Sequence, residues 1–399
     1  VNDINALVAA GDVKNAVALA LVDKLAPSDD FSFVTFSNDA TLRIKDGPVG
    51  ARRAEIKRTI EQVEAVGGTN IGAGLTMGYA QAESKGIPED AVKVVLLLSD
   101  GQANIGITRR EQLSKLALDA FQRGIQTSAF GLGPDYDGPL MSAIAEDGAG
   151  GYYYLRDAAQ IEPALATEID KRLDPVATAV EVRVRLKKGV ELLHVYGSRR
   201  LGDVEAAHVR TQELAADQQA EKRDKIASDR KDDLEGGMRF FIPAYARGDA
   251  HALLFELGAP AGTGTLPIGI VELRYKDRVA KKNMSDEIPL KLAYADSDAA
   301  SGATLDPSVA RTVQGFAAGE ALADAARRIA AGDRAGAEKE LAERETILRQ
   351  AADTLHEPLF LRDADRLARL EHHAEQQSGL GEPLVLSMML ETAGYAHMR

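Results

Sequence analysis

The chain has 399 residues, of which 45% are apolar and 27% charged, so it is long enough for two or three domains each with its own core. A net charge of −13 argues against a nucleic-acid surface or an anionic membrane, both of which ask for clustered Lys and Arg. No apolar run approaches the roughly 18 residues of a membrane helix, and with no cysteine in the sequence, disulfide frameworks and thiolate metal sites are excluded. The partners this leaves are proteins, cations and neutral ligands.

Residues 7–25, LVAAGDVKNAVALALVDKL, carry apolar residues at helical spacing and end before Pro27. The chain opens on Val1 and enters this helix directly, so a preceding segment is expected, with Asn2, Asp3 and Asn5 as capping residues. DDFSFVTFS and ATLRIKD alternate in the strand manner around a Ser-Asn-Asp turn and predict a hairpin. Residues 51–65 place Ile56, Ile60 and Val63 on one helical face, and Gly67-Gly68 stop that helix. Thr69 opens the next helix, NIGAGLTMGYAQAES, where a threonine suits the N-cap. The run VVLLLSDG then predicts a strand buried on both faces and ending on Asp100. A helix over 108–123, a strand over 125–133, a helix over 138–147 and the strand GYYYL complete a βα alternation, the pattern of a doubly wound, Rossmann-like α/β sheet.

Ligands of such sheets bind outside the carboxyl ends of the strands, where Asp100 falls. Thr69 precedes the helix that leads into that strand, so both residues can face one crevice. A hydroxyl with a carboxylate suits a hard divalent cation such as Mg²⁺, and the two are half of a site. Read singly, Thr69 is a plain N-cap and Asp100 a cap after a strand; read together within the ordered pattern, they favour a metal site. Asn104 reads either as a residue that supports the ligands from behind or, preferred, as a turn former, while Gly67, Gly68, Gly72 and Gly74 read either as close backbone approach or as ordinary packing.

GGTNIGAGL, then VVLLLSDGQANIG, then TSAFGLG, supported by DDFSFVTFSNDA and GAGGYYYL, resembles the von Willebrand factor type A domain over about residues 1–170. The resemblance implies a metal-ion-dependent adhesion site built from an Asp-x-Ser-x-Ser loop, a threonine and an aspartate. By motif the threonine is Thr69 and the aspartate Asp100, while the first loop has no match and is expected upstream of Val1. Mg²⁺, or Mn²⁺ or Ca²⁺, would be held there, with one position open to an acidic residue of a partner protein.

Past residue 173 the texture changes. Strands at 178–189, 190–197, 238–248, 251–260, 267–277 and 287–295 with Gly/Pro turns predict an antiparallel β-sandwich over 173–300. Its charged insertion, 203–237, reads as an exposed helix or a loop, and as solvated. Residues 301–399 are helical, a hairpin or small bundle broken at AGD, where Gly332 ends one helix and Asp333 caps the next. His372 and His373 are adjacent, about 100° apart on a helix, and read as surface histidines. No phosphate loop, nucleophile elbow or H-E-x-x-H is present, and GLGPDYDG fails the dinucleotide pattern. The expectation is therefore a protein-binding module and not an enzyme. A metal-free scaffold, an accessory subunit of an ATPase and a metal-dependent hydrolase built on Asp100 are the rival readings.

Overall fold

The computed structural model describes residues 13–64, 67–84, 87–88, 90–100, 102–132, 137–155, 161–173, 175–198, 201–230 and 236–376. The chain divides into two compact units, the first from Val1–Arg183, Gly202–Asp249 and Glu272–Asp286, the second from Val184–Leu201, Ala250–Val271 and Glu287–Arg399.

In the first unit, helix α1 (Val13–Lys24) contains the run Ala16–Val22, which has no polar residue. A run without a polar face gains by being covered all round, and in this one every residue but half-buried Leu21 is buried. Ala16, Val17 and Ala20 pack with Phe130, Leu132, Leu155, Ile161 and Leu165. Ala18, Leu19 and Val22 pack with Ile44, Ile56 and Ile60. The expected hairpin is present as β1 (Phe33–Phe36) and β2 (Ala40–Ile44), antiparallel, with Thr35 opposite Thr41. Helix α2 (Arg53–Glu61) buries Ile56 and Ile60, the face the spacing predicts.

Helix α3 (Ile71–Ala82) leads to β3 (Lys93–Ser99), which pairs in parallel with β4 (Ile125–Leu132), and β4 with β5 (Ala149–Leu155). Helices α4 (Arg110–Gln122) and α5 (Gly138–Asp147) connect these strands, and α6 (Ile161–Leu173) follows them. Successive side chains of a strand point to opposite faces, and β4 shows it. Thr127 meets the hydroxyl of Tyr79 on α3 at 2.9 Å, and burial pushes that phenol up to about 12 against the opposing effect of the hydrogen bond. Its neighbour Ser128 faces the other way and bonds Glu168 on α6. Glu168, 1% exposed, also takes hydrogen bonds from the hydroxyl of Tyr153 and Nε of Arg172, each at 2.7 Å. Helices on both faces of a parallel sheet give the doubly wound arrangement.

The expectation of β3 as a strand buried on both faces is corrected. Only Leu97 and Ser99 in it are buried, and the rest is half-buried. Apolar content sets how much a strand gains by being covered, but the number of flanking strands decides its cover; among the described residues β3 pairs with β4 alone. The central strand β4 is the fully covered one, save Gln126.

The charged insertion is also corrected. Its residues Asp203–Gln219 form helix α7 with Gln212, Glu213, Ala215, Ala216 and Asp217 buried. Ala215 and Ala216 pack with Phe121, Ala149 and Ala179. The carboxamides of Gln212 and Gln219 donate to Glu146 O (2.5 Å) and Phe121 O (2.6 Å), carbonyls in the last turns of α5 and α4. Among the described residues the buried charges of this region are paired. Lys276 Nζ, 2% exposed, lies 2.5 Å from Asp217 Oδ1 and donates to Asp229 Oδ1 at 2.6 Å, Asn283 Oδ1 at 2.7 Å and Ala227 O at 2.9 Å. Glu181 binds Arg183 at 2.8 Å and Arg230 at 2.5 Å.

All six strands expected beyond the α/β part appear, as β6 (Ala177–Leu186), β7 (Glu191–Val195), β8 (Met238–Tyr245), β9 (Phe255–Gly258), β10 (Thr265–Asp277) and β11 (Lys282–Ala293). They form a four-stranded sheet of order β11-β10-β6-β8 and an antiparallel ribbon β7-β9. The bonds Arg278 N–H to Val176 O and Lys187 N–H to Ile268 O run in the antiparallel sense. In the second unit a short helix α8 (Asp298–Gly302) precedes α9 (Pro307–Ala330), α10 (Arg334–Thr354) and α11 (Leu359–Gln376). The three long helices share a core of Leu322, Ile329, Leu341, Leu348, Phe360 and Leu367. Gly332, at φ +85°, ends α9, and the Asp333 carboxylate accepts the Gly336 N–H at 3.0 Å, both as expected. The side chains of His372 and His373, and the helix expected near PLVLSMMLETAGY, lie outside the described residues. No described helix is long and apolar enough to cross a membrane.

Candidate functional site

The carboxyl end of β3 delivers a buried Ser99 followed by an exposed Asp100. The next helix, α4, begins at Arg110 with Arg109 at its N-cap, so Asp100 does not cap it, and the reading of Asp100 as that helix's cap is corrected. The reading of Thr69 as the N-cap is corrected too. Asn70 holds that position, its Oδ1 accepting the Ala73 N–H at 3.1 Å. Asparagine is at least as good a cap as threonine, and one capping position takes one side chain. Among the described residues the Thr69 hydroxyl makes no hydrogen bond.

Three loops are stitched together around Thr69. Three successive amides, of Gly68, Thr69 and Asn70, donate to Asn38 Oδ1 (2.8 Å), Asn104 Oδ1 (2.8 Å) and Ser37 O (2.8 Å). The Asn70 carboxamide donates to Asn38 O at 3.0 Å, and the Asn104 N–H donates to Thr69 O at 3.1 Å. The β1–β2 turn, the loop entering α3 and the loop after β3 therefore form one hydrogen-bonded surface. Two glycines permit it. A Cβ on Gly68 would stand 2.3 Å from Ile105 Cδ1 and 2.9 Å from Asn104 Oδ1. Gly106, at φ +69°, turns the chain where a Cβ would meet Asn70 Oδ1 at 2.6 Å. Asn104, expected as a turn former, instead bonds both backbone groups of Thr69.

The structure thus brings the loop of Thr69 beside the loop that follows Asp100. Its donors, an alcohol and a carboxylate, fit in kind a hard cation such as Mg²⁺, Mn²⁺ or Ca²⁺. They are two side chains with at most three oxygens where such an ion takes six or more, and no cluster of three or more His, Cys, Asp or Glu able to hold a metal is found among the described residues. Asn38 and Asn70 escaped the sequence reading, and Asn104 was read first as a turn former, because their role lies in pairings across distant loops. Their one visible signal was position, each next to or within a loop that borders Thr69.

The family model described as the von Willebrand factor type A domain matches residues 12–167. The protein YfbK of Escherichia coli (strain K12) is 31% identical over 165 residues, which is 41% of this chain and 28% of that protein. The chain thus spans less than a third of that relative's length. Two solved structures share the fold over most of the chain. A von Willebrand factor type A protein from Catenulispora acidiphila has a TM-score of 0.59 at 18% identity and covers 86% of this chain and 76% of its own. The ArnB paralog VWA2 from Sulfolobus acidocaldarius has a TM-score of 0.51 at 19% identity, covering 98% and 85%.

Proposed function

We propose, from the premise that residues 12–167 are a von Willebrand factor type A domain, that this chain is a protein-binding module whose α/β unit engages its partner at the loops around Thr69 and Asp100. Domains of this family commonly mediate protein–protein interactions. In this reading Thr69 contributes its hydroxyl and Asp100 its carboxylate to a divalent cation, Mg²⁺ first and Mn²⁺ or Ca²⁺ as substitutes. When bound, the ion offers an open coordination position to a carboxylate of the partner. The observation that supports it most is the release of Thr69 from capping: Asn70 takes the cap, and the Thr69 hydroxyl remains for another use on a loop bonded to the loop of Asp100.

The chain's own residues supply orientation and charge. The hydrogen bonds of the Gly68, Thr69 and Asn70 amides hold the alcohol-bearing loop in register with the end of β3, and exposed Asp100 presents its negative charge to solvent. Asp100→Ala in the full-length protein tests the reading. Metal uptake measured by calorimetry and capture of the partner should both be lost, EDTA should abolish capture by the parent protein, and the circular dichroism spectrum should not change. Partner capture that survives both EDTA and Asp100→Ala would refute the reading and favour the metal-free scaffold.

A further inference from the structure

We propose that Asn104 is the positioning residue of this site: it locks Thr69 to the loop that follows Asp100, so that alcohol and carboxylate are set in place before any cation arrives. The inference rests on the reading of Thr69 and Asp100 as ligands and extends it to how the site is assembled.

The two candidate ligands belong to different loops, separated by helix α3 and strand β3, and neither loop is held by secondary structure of its own. Among the described residues, the hydrogen bonds between Thr69 and the loop after Asp100 come from a single residue. Asn104 spends its side-chain carbonyl on the Thr69 N–H at 2.8 Å and its own backbone N–H on the Thr69 carbonyl at 3.1 Å. Both polar groups of the Thr69 backbone therefore end on one partner, which fixes the direction of the Thr69 Cα–Cβ bond relative to a chain segment that starts at Asp100. A single bond would leave the peptide free to pivot; two on opposite sides do not.

The neighbouring residues are arranged to keep this pair. Gly68 gives the space in which Asn104 Oδ1 and Ile105 approach the Thr69 loop. Gly106 reverses the chain immediately past Ile105 in a conformation that L side chains rarely adopt. On the far side of Thr69, Ser37 and Asn38 bind the amides of Asn70 and Gly68, so the residue before and the residue after Thr69 are anchored to the β1–β2 turn while Thr69 itself is anchored to Asn104. Asn104 is exposed, and exposure means that it serves no core. Among the described residues, the hydrogen bonds that tie Thr69 to the Asp100 loop both come from Asn104, one through its side chain and one through its backbone.

The test uses the full-length protein and two variants of nearly the same side-chain size. Asn104→Leu removes the acceptor, and Asn104→Asp keeps it. Two quantities are read: amide hydrogen exchange of Thr69 in EDTA, and Mn²⁺ affinity by calorimetry. Exchange at Thr69 should accelerate in Asn104→Leu and stay protected in Asn104→Asp, with the amides of Gly68 and Asn70 protected in both. Mn²⁺ affinity of the Leu variant should fall about 10- to 100-fold, the usual cost of losing a residue that orients a ligand, while Asn104→Asp binds at least as tightly as the parent. The thermal midpoint serves as the control for a merely structural effect and should be shared by both variants. Unchanged exchange at Thr69 in Asn104→Leu overturns the lock, and faster exchange with unchanged Mn²⁺ affinity overturns its role in metal binding. A parent protein that takes up no Mn²⁺ overturns the ligand reading itself, and that failure is recognised without reference to either variant.

Discussion

Replacing Lys276 by methionine tests whether the charged helix α7 is part of the first unit's core. The ammonium sits among four oxygens at 2.5 to 2.9 Å, and two of its partners differ in a way that sets the magnitude. Asp217 is 2% exposed, so once Lys276 is gone its carboxylate keeps, among the described residues, the backbone N–H groups of Asp229 and Arg230, at 3.1 and 3.0 Å. Removing one member of a buried pair costs about 3–5 kcal/mol, because the other is left as an uncompensated charge. The Asp229 side chain is 37% exposed, and its share is at most about 1 kcal/mol. Methionine retains the length of the aliphatic stem, so little is added for a cavity. Urea unfolding followed by circular dichroism should show Lys276→Met less stable by about 3–5 kcal/mol. Adding Asp217→Asn, which removes the stranded charge, should recover part of the loss as a coupling energy of about 0.5–3 kcal/mol. A single-variant cost below about 1 kcal/mol, or a double variant no better than the single one, would refute the account of α7 as anchored by this ion.

Thr69→Ala and Asn70→Ala make a contrasting pair. The first should leave stability within about 0.5 kcal/mol of the parent and abolish Mg²⁺ uptake, while the second should cost about 1 kcal/mol for the lost cap, as read by urea unfolding and calorimetry. Acid should weaken the first unit. Burial alone would raise Asp217, but Lys276 and two backbone N–H groups hold it below its ordinary 3.8; Asp224 is likewise lowered, Arg223 and Arg278 outweighing its burial. A carboxylate lowered in the folded state stabilises it above the unfolded value and loses that contribution as pH falls through the folded one. The urea midpoint should therefore drop steeply below about pH 4, and less so in Asp217→Asn; an equal drop in both would exclude Asp217 as a source.

The α/β order was legible because it lies in local periodicity. Ile56 and Ile60 on one face and the five apolar residues before Ser99 announce their elements without help from the rest of the chain. What periodicity does not carry is pairing. Whether β3 is central or marginal depends on which strands stand beside it, and the choice of cap between Thr69 and Asn70 on a one-residue shift. In α7 the sequence shows Glu213 and Asp217 as charges on a charged helix, although both are buried, because Arg210 and Lys276 answer them. The site divides along the same line. Thr69 and Asp100 stood out by motif, whereas Asn104 acts through a partner on a different loop.

The first unit is assembled from three stretches of chain, the last ending at Asp286. On a ribosome, its early strands and helices emerge long before the lysine that neutralises Asp217 and before the helix that covers Phe121 and Ala149. Until the stretch through Asp286 has left the exit tunnel, the α/β core waits with one flank uncovered. Synthesis therefore imposes on this unit a final closing step set by translation time, and a nascent chain stalled short of Lys276 presents that flank to whatever chaperones attend the ribosome.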